Sequence, residues 1–174
     1  MRNIIDRFTA VILLCVLSPI FILASILILA LDGSPVIFLQ ERLGEKRKPF
    51  VLYKFRTMRN GRMTRPGRWL RMFGLDELPQ LINVIQGNMS FVGPRPLTQE
   101  DVTRLGWDDP AFDVRWESRP GITGPAQLLP VCDSEKYFEM DRAYVCSNDR
   151  LKDLRVLFAT AATVFSGKKT RVRV

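Results

Sequence analysis

The chain has 174 residues, enough for one domain with a hydrophobic core, and 47% of them are hydrophobic. Its formal net charge of +8 indicates a polyanionic partner, which is nucleic acid, an anionic membrane surface or nucleotide phosphates. Because the sequence contains no histidine, histidine general-base chemistry and histidine metal ligation are excluded, and acid–base work falls to carboxylates.

An almost unbroken apolar run extends from Ala10 to Leu31 and is long enough to span a bilayer. Ser18 and Pro19 interrupt it near the middle. Proline removes one backbone hydrogen bond and obstructs another, which predicts a bend where the serine hydroxyl helps to satisfy a carbonyl. Basic residues flank both ends and favour the cytoplasmic side for both. The residues leave two interpretations open, a kinked spanning helix and a hairpin that returns from the midplane.

Two short strands are predicted next, over residues 36–40 and 50–58, with a basic loop between them. Alternation along the second strand puts Lys54 and Arg56 on one face, from which both cations could reach phosphates. An exposed basic face of an edge strand is the more frequent origin of such a pair. The strand pattern alone therefore does not assign a function to Lys54.

Residues 60–73 mix arginines with Met, Trp, Leu and Phe. This mixture is typical of an interfacial segment, in which arginines pair with lipid phosphates while Trp69, Leu70 and Phe73 lie below them. Basic and aromatic mixtures also bind single-stranded nucleic acids. The neighbouring apolar run of membrane length favours lipid, so we expect no nucleic-acid partner.

A helix is predicted around residues 76–86, where apolar residues recur at i, i+3, i+4 and i+7 and Gly87 follows as a stop. Pro79 belongs in a first helical turn, which puts Asp76 and Glu77 at the N-cap and N1 region. That end of a helix is electropositive, so it stabilises a carboxylate and attracts a phosphate. From the helix alone, Asp76 is explained more simply as an N-cap residue and Glu77 as an ordinary first-turn acid.

The second half predicts helices over residues 97–105, 110–116, 135–144 and 151–165, and a tightly turned loop over 119–125. Three aspartates at 108, 109 and 113 fit helix starts better than a metal cluster. Asp141 and Tyr144 are interpreted as structural. The last predicted helix is amphipathic, and the basic residues at 168–173 suit anionic membrane lipids.

Three segments together resemble a known family. The sequences YKFRTM (residues 53–58), LDELPQLINVIQGNMSFVGPRP (75–96) and RPGITGPAQ (119–127) are similar to those of the bacterial sugar transferases called small monotopic phosphoglycosyl transferases. The resemblance covers nearly the whole chain. It implies a mixed α/β, helix-rich fold: a catalytic domain (33–174) on the cytoplasmic face of the bacterial inner membrane, anchored by a re-entrant helix (1–32) broken at Ser18 and Pro19. It therefore favours the hairpin.

The resemblance also implies an activity, the transfer of a phosphosugar from a UDP-sugar to a polyprenyl (undecaprenyl) phosphate with release of UMP. This is the first membrane step of bacterial glycoconjugate synthesis. In the family an Asp-Glu pair is catalytic, so Asp76 would take the phosphosugar covalently and Glu77 would contact metal or orient the acceptor. The residues are consistent with this, because a carboxylate is the available nucleophile and Mg²⁺ binds to few protein ligands beside phosphates.

Candidate residues for binding substrate phosphates are Lys54, Arg56, Arg71, Pro94, Arg95 and Arg119. The 59–67 region is shorter than is usual in the family, and residues 128–132 replace a Gly-Arg-Asn-like stretch, so the sugar is not carried over. The alternative function is an inactive membrane-bound homologue that holds polyprenyl phosphate. The paired acids beside a phosphate site argue against it. The oligomeric state, including a homodimer, is left open.

Overall fold

The computed structural model describes residues 2–128, 133–147 and 150–165. The chain divides into two compact units: Met1–Gln40 with Val51–Gly87, and Glu41–Phe50 with Asn88–Val174. Both are built from helices and short two-stranded sheets, which confirms the mixed α/β, helix-rich fold class.

The first unit begins with two helices, α1 (Arg2–Val16) and α2 (Ser18–Asp32), which meet at a bend of 61°. At the bend the hydroxyl of Ser18 donates a hydrogen bond of 2.8 Å to the carbonyl of Cys15. The bend expected at Ser18 and Pro19 is present, with the helix interrupted at Leu17 directly before them, and the hydroxyl satisfies a carbonyl as expected. Among the described helices none is long and apolar enough to cross a membrane alone, whereas this bent pair passes by length and composition.

Each helix of the pair buries one side and exposes the other. Helix α1 packs along α4 (Gln80–Gln86), and α2 packs on α3 (Arg65–Met72). Ala24 and Ile28 are buried there with Leu70. The remaining surface of the pair exposes large apolar side chains, among them Ile4, Phe8, Val16, Ile22, Leu23, Ile26 and Leu31.

Strands β1 (Ile37–Leu43) and β2 (Pro49–Phe55) form a two-stranded sheet. A second hairpin, β3 (Met58–Arg59) with β4 (Arg62–Met63), turns through two residues with positive φ, Asn60 and Gly61. The expectation of an interfacial segment over residues 60–73 did not include this hairpin, although Asn-Gly is its usual turn.

Helix α3 and Phe73, the residue that follows it, carry the aromatic side chains of that interfacial segment. Trp69 and Phe73 are exposed, 63% and 50% respectively, as the prediction requires. Leu70 is only 5% exposed and lies in the core of the first unit, so its expected place beside them is wrong. Trp69 and Phe73 are four residues apart and their rings stack, with centroids 6.3 Å apart, whereas Leu70 is turned about 100° from Trp69 towards the core.

The predicted helix start at Asp76 is also wrong, by one turn. Residues Leu75–Glu77 form a single 3-10 turn after Gly74, which is left-handed with φ 67°, and α4 begins only at Gln80. Pro79 caps α4 instead of lying inside it, and the 3-10 turn closes with its own hydrogen bond of 3.2 Å from Leu78 N–H to the carbonyl of Leu75. The end of α4 at Gly87, with φ 85°, is confirmed.

The second unit contains a parallel pair of short strands, β5 (Ser90–Val92) and β6 (Gly121–Thr123). Strand β6 lies within the loop predicted for residues 119–125. The Gly and Pro residues of this segment predicted an irregular loop, but Gly121 instead allows close approach of two strands, because a Cβ there would collide with the backbone of Gly93.

The second unit also contains helices α5 (Gln99–Leu105), α6 (Ser134–Val145) and α7 (Arg150–Phe165) and a 3-10 helix at Pro110–Glu117, and α7 packs on both strands. All four occur close to where the sequence predicts helices. Residues 129–132 and 168–173, for which predictions were made above, lie outside the described residues.

The second unit has a polar pair in its interior. Arg115 and Asp141 form an ion pair of 2.8 Å with both side chains only 1% exposed, and the guanidinium lies over the rings of Trp107 and Trp116. The structural role expected for Asp141 is confirmed. Tyr144 is structural as well, because its hydroxyl donates to the carbonyl of Val92 at 3.0 Å.

Candidate active site

The candidate site is built on the 3-10 turn that contains Asp76 and Glu77. The side chain of Asp76 is 14% exposed and that of Glu77 is 31% exposed. Strand β2 brings Lys54 to this turn, where its Nζ lies 2.8 Å from Oε1 of Glu77. Lys54 thus contacts one of the two predicted catalytic carboxylates.

Arg71, near the end of α3, is the second cation at the site. Its Nε donates a hydrogen bond of 2.9 Å to the hydroxyl of Thr57. The same Nε is 3.9 Å from Oδ2 of Asp76, which is an ion pair without a hydrogen bond. Within the described residues, no side chain donates a hydrogen bond to Asp76, so its carboxylate lies near positive charge without a direct hydrogen bond from a cation.

The electrostatic environment raises the pKa of Asp76. Burial is the largest cause, followed by repulsion from Glu77, while Lys54 and Arg71 act in the opposite direction. A carboxylate with a raised pKa is a better base and a better nucleophile than an ordinary surface aspartate. The turn therefore holds Asp76 in an environment that is common at functional sites.

Arg56 is occupied elsewhere. Its Nη2 donates to the carbonyl and carboxylate of Asp32, at 2.9 and 2.7 Å, and to the carbonyl of Gly33 at 2.7 Å. The side chain is buried and secures the end of α2. Strand alternation predicted that Arg56 shares a face with Lys54, but β2 ends at Phe55, so the alternation does not continue to Arg56.

Asn83, to which no role was assigned above, joins α4 to strand β2, the strand that carries Lys54. The residue is fully buried on α4. Its Nδ2 donates to the carbonyl of Val51 at 2.6 Å, and its Oδ1 accepts from the N–H of Tyr53 at 3.1 Å. An asparagine next to the apolar face of a predicted helix was the available signal, because a buried amide needs partners.

Three further predicted residues, Pro94, Arg95 and Arg119, belong to the second unit. The carbonyl of Arg95 accepts from Nη2 of the buried Arg115, and the carbonyl of Pro94 accepts from the N–H of Gly121 at 2.9 Å. Arg119 forms an ion pair of 3.3 Å with Glu45. The structure thus brings Lys54, Arg71, Asp76 and Glu77 together in the first unit. The other three candidates, Pro94, Arg95 and Arg119, belong to the second unit.

Asp76 and Glu77 are the donors available for a metal ion at this turn. Among the described residues there is no cluster of three or more His, Cys, Asp or Glu side chains that could hold one. Two adjacent carboxylates fit a hard cation that takes few protein ligands and completes its shell with water and phosphate oxygens, as Mg²⁺ does.

Comparison with known proteins identifies the family. The family model described as bacterial sugar transferase matches residues 1–167. This chain is a bacterial sugar transferase. The resemblance found in the YKFRTM, LDELPQ and RPGITG segments is therefore confirmed over almost the full length.

Several curated proteins are similar to this sugar transferase. An uncharacterized sugar transferase, EpsL of Bacillus subtilis, is 39% identical, and the alignment covers 94% of this chain and 87% of EpsL. The UDP-N-acetylgalactosamine-undecaprenyl-phosphate N-acetylgalactosaminephosphotransferase of Aeromonas hydrophila is 33% identical, over 93% of this chain and 43% of that protein. The UDP-glucose:undecaprenyl-phosphate glucose-1-phosphate transferase of Caulobacter vibrioides is 30% identical, over 95% of this chain and 70% of that protein.

Proposed function

We propose that this sugar transferase moves a phosphosugar from a UDP-sugar to undecaprenyl phosphate and releases UMP, through a covalent intermediate on Asp76. The observation that carries the proposal is the Asp76 carboxylate, which lies close to Arg71 and beside the Lys54–Glu77 pair without a side-chain hydrogen bond. The names of the relatives from Aeromonas and Caulobacter support the choice of donor and acceptor.

In the first step, an oxygen of Asp76 attacks the phosphorus that is bonded to the sugar. The bond from that phosphorus to the bridging oxygen breaks, and UMP leaves with the electron pair, so Asp76 becomes an acyl phosphate that carries the sugar. Both reactants are anions, and Lys54 and Arg71 offset their repulsion. We place Arg95, Pro94 and Arg119 among the groups that bind the donor, and omit Arg56 because its guanidinium is bonded to Asp32 and Gly33.

In the second step, a phosphate oxygen of undecaprenyl phosphate attacks the same phosphorus. The bond to Asp76 breaks, which restores the carboxylate and yields a diphosphate-linked lipid sugar. Glu77 would orient the acceptor, and with Asp76 it would hold Mg²⁺. When bound, the cation would neutralise charge on the phosphoryl oxygens.

We further propose that the bent pair α1–α2 is a re-entrant anchor in the bacterial inner membrane, with the site on the cytoplasmic face. Support comes from the break at Ser18, the apolar side chains exposed on both helices, and the exposed Trp69 and Phe73 next to basic residues suited to anionic lipid. A single cysteine near the N-terminus, in a variant without the three native cysteines, tests the topology. Labelling by impermeant reagent only from the cytoplasmic side supports the hairpin, and labelling only from the opposite side contradicts it.

The reaction is tested with detergent-solubilised protein, Mg²⁺, undecaprenyl phosphate and a panel of UDP-sugars. UMP release with one donor establishes phosphosugar transfer, and UDP release would instead indicate ordinary sugar transfer. We expect Asp76→Asn to abolish turnover and Asp108→Asn, the same change at an exposed residue, to leave it intact. If no donor releases UMP although lipid phosphate binds, the inactive lipid-holding homologue becomes the better account.

The covalent step is tested separately, with a donor that carries ³²P in the sugar-linked phosphate and with the acceptor left out. We expect label on the wild-type protein and none on Asp76→Asn. Hydroxylamine should remove the label, because it cleaves acyl phosphates. Turnover without protein labelling, or substantial turnover by Asp76→Asn, would remove the covalent mechanism.

A further inference from the structure

We propose that Thr57 is a positioning residue, which holds the guanidinium of Arg71 by its Nε. In this role the Thr57 hydroxyl keeps Arg71 from closing on Asp76 and leaves the terminal guanidinium nitrogens available for substrate phosphates. The proposal rests on the proposed function, in which Asp76 is the nucleophile and Arg71 binds phosphate.

The geometry at Nε carries the argument. This nitrogen has one hydrogen, which is donated to the hydroxyl of Thr57 over 2.9 Å. The carboxylate of Asp76 is 3.9 Å from the same nitrogen. A single N–H cannot serve both acceptors well, so the neutral hydroxyl occupies the donor that would otherwise complete a close ion pair with the nucleophile.

The rest of the guanidinium is left open. Its terminal nitrogens donate no hydrogen bond to any part of the chain that the structure describes, and the Arg71 side chain is 38% exposed. Two parallel N–H groups from a guanidinium match the spacing of phosphate oxygens. Arg71 is therefore oriented with the nitrogens suited to phosphate not yet engaged.

Thr57 is itself held firmly. It is 5% exposed, and its carbonyl accepts a hydrogen bond of 3.0 Å from the N–H of Thr64. Gly67 lies against its backbone so closely that a Cβ would collide with the Thr57 carbonyl. Gly67 and Arg71 are four residues apart on α3 and share a face. The hydroxyl thus has a fixed position relative to the helix that carries Arg71.

Thr57→Val is the informative change, because valine keeps the shape of threonine and loses the hydroxyl. Without its acceptor, Nε–H is free to donate to Asp76, and the guanidinium moves onto the nucleophile. We expect kcat/KM for the UDP-sugar to fall about 10- to 100-fold, as for loss of a hydrogen bond to a charged group. KM should rise and kcat should fall, because both phosphate binding and the nucleophile are affected.

The experiment measures UMP release by wild type, Thr57→Val, Thr57→Ser, Arg71→Met and the double variant Thr57→Val/Arg71→Met. Thr57→Ser retains the hydroxyl and should recover most of the lost activity. If Thr57 acts through Arg71, the Thr57→Val change should cost less than about twofold in the Arg71→Met background. Thr163→Val, which removes a threonine hydroxyl in the second unit, controls for the substitution itself, and thermal unfolding midpoints control for folding.

Two results would overturn the proposal: Thr57→Val as active as wild type, or the same fold loss from Thr57→Val with and without Arg71. UDP binding, measured by titration calorimetry on the same variants, makes the test independent of turnover. Weaker UDP binding in Thr57→Val than in Thr57→Ser supports the role of Thr57, and equal binding overturns it. Absence of UMP release from wild type would overturn the proposed function instead, and the binding measurement would still decide the role of Thr57.

Discussion

Replacing Asn83 by leucine should destabilise the protein more than any surface change of similar size. Leucine has nearly the shape of asparagine, but it cannot bond to the carbonyl of Val51 or the N–H of Tyr53. Both backbone groups bond to the Asn83 side chain, and Asn83 is fully buried, so water does not replace the lost hydrogen bonds at this position. The two partners would lose their hydrogen bonds together.

Each lost hydrogen bond of this kind costs about 1 to 1.5 kcal/mol. The expected loss from Asn83→Leu is therefore about 2 to 3 kcal/mol, out of a free energy of unfolding of roughly 5 to 15 kcal/mol for an ordinary domain. The greater burial of apolar atoms in leucine offsets part of this loss, so we take the lower end of the range, about 2 kcal/mol, as the expected value.

Urea unfolding of the full chain in detergent, followed by circular dichroism, measures this difference. Gln99→Leu is the matched control, because it removes one exposed side-chain hydrogen bond, to Asp108, from helix α5. The control should change stability by less than about 0.5 kcal/mol. An Asn83→Leu variant that unfolds within 0.5 kcal/mol of wild type, on the order of an ordinary surface change, would refute the view that this amide joins α4 to β2.

Two further predictions concern the charges of the first unit. In metal-free protein, a ¹³C NMR titration should give Asp76 a pKa above that of an ordinary aspartate, and this pKa should fall in Glu77→Gln and rise further in Lys54→Met. Because the folded pKa is raised, ionising Asp76 costs stability as the pH rises through that pKa. Asp76→Asn should therefore be more stable than wild type at neutral pH and lose this advantage in acid. A pKa of Asp76 that rises in Glu77→Gln and falls in Lys54→Met would contradict the charge arrangement. Arg56→Met leaves the buried Asp32 without its main partner, so it should cost about 3 kcal/mol of stability and change the donor KM of the folded enzyme less than threefold. A tenfold rise in the donor KM with unchanged stability would instead indicate that Arg56 binds the substrate.

Sequence patterns predicted the parts of this fold that depend on local physics. The break at Ser18 and Pro19 follows from the chemistry of proline, and the end of α4 at Gly87 follows from the left-handed conformation that glycine tolerates. The sequence also made Lys54, in the YKFRTM segment, and Arg71 candidates for binding phosphate, and within the first unit both lie near the turn that contains Asp76 and Glu77.

Some of the missed features are local turns, and others depend on contacts between segments distant in sequence. Helical periodicity began a helix at Asp76, although a left-handed Gly74 and the closing hydrogen bond of a 3-10 turn form a separate element there. Strand alternation placed Arg56 beside Lys54, but the carboxylate of Asp32, 24 residues earlier, fixes its guanidinium instead. Sequence patterns do not predict such a pair, because arginine and aspartate are both common on protein surfaces and nothing in the sequence links these two.

Thr57 and Asn83 were missed for the same reason, and the hydrogen bond from Arg71 to Thr57 bears on how the site holds its own charges. A site for a polyanion needs cations, and cations next to a carboxylate nucleophile tend to pair with it. Here Lys54 pairs with Glu77, and the Nε of Arg71 is bonded to Thr57. Asp76 is then left between two cations with no side-chain hydrogen bond from either in the described residues. In the proposed reaction, that arrangement lets an incoming diphosphate take the cations while the carboxylate stays free to attack.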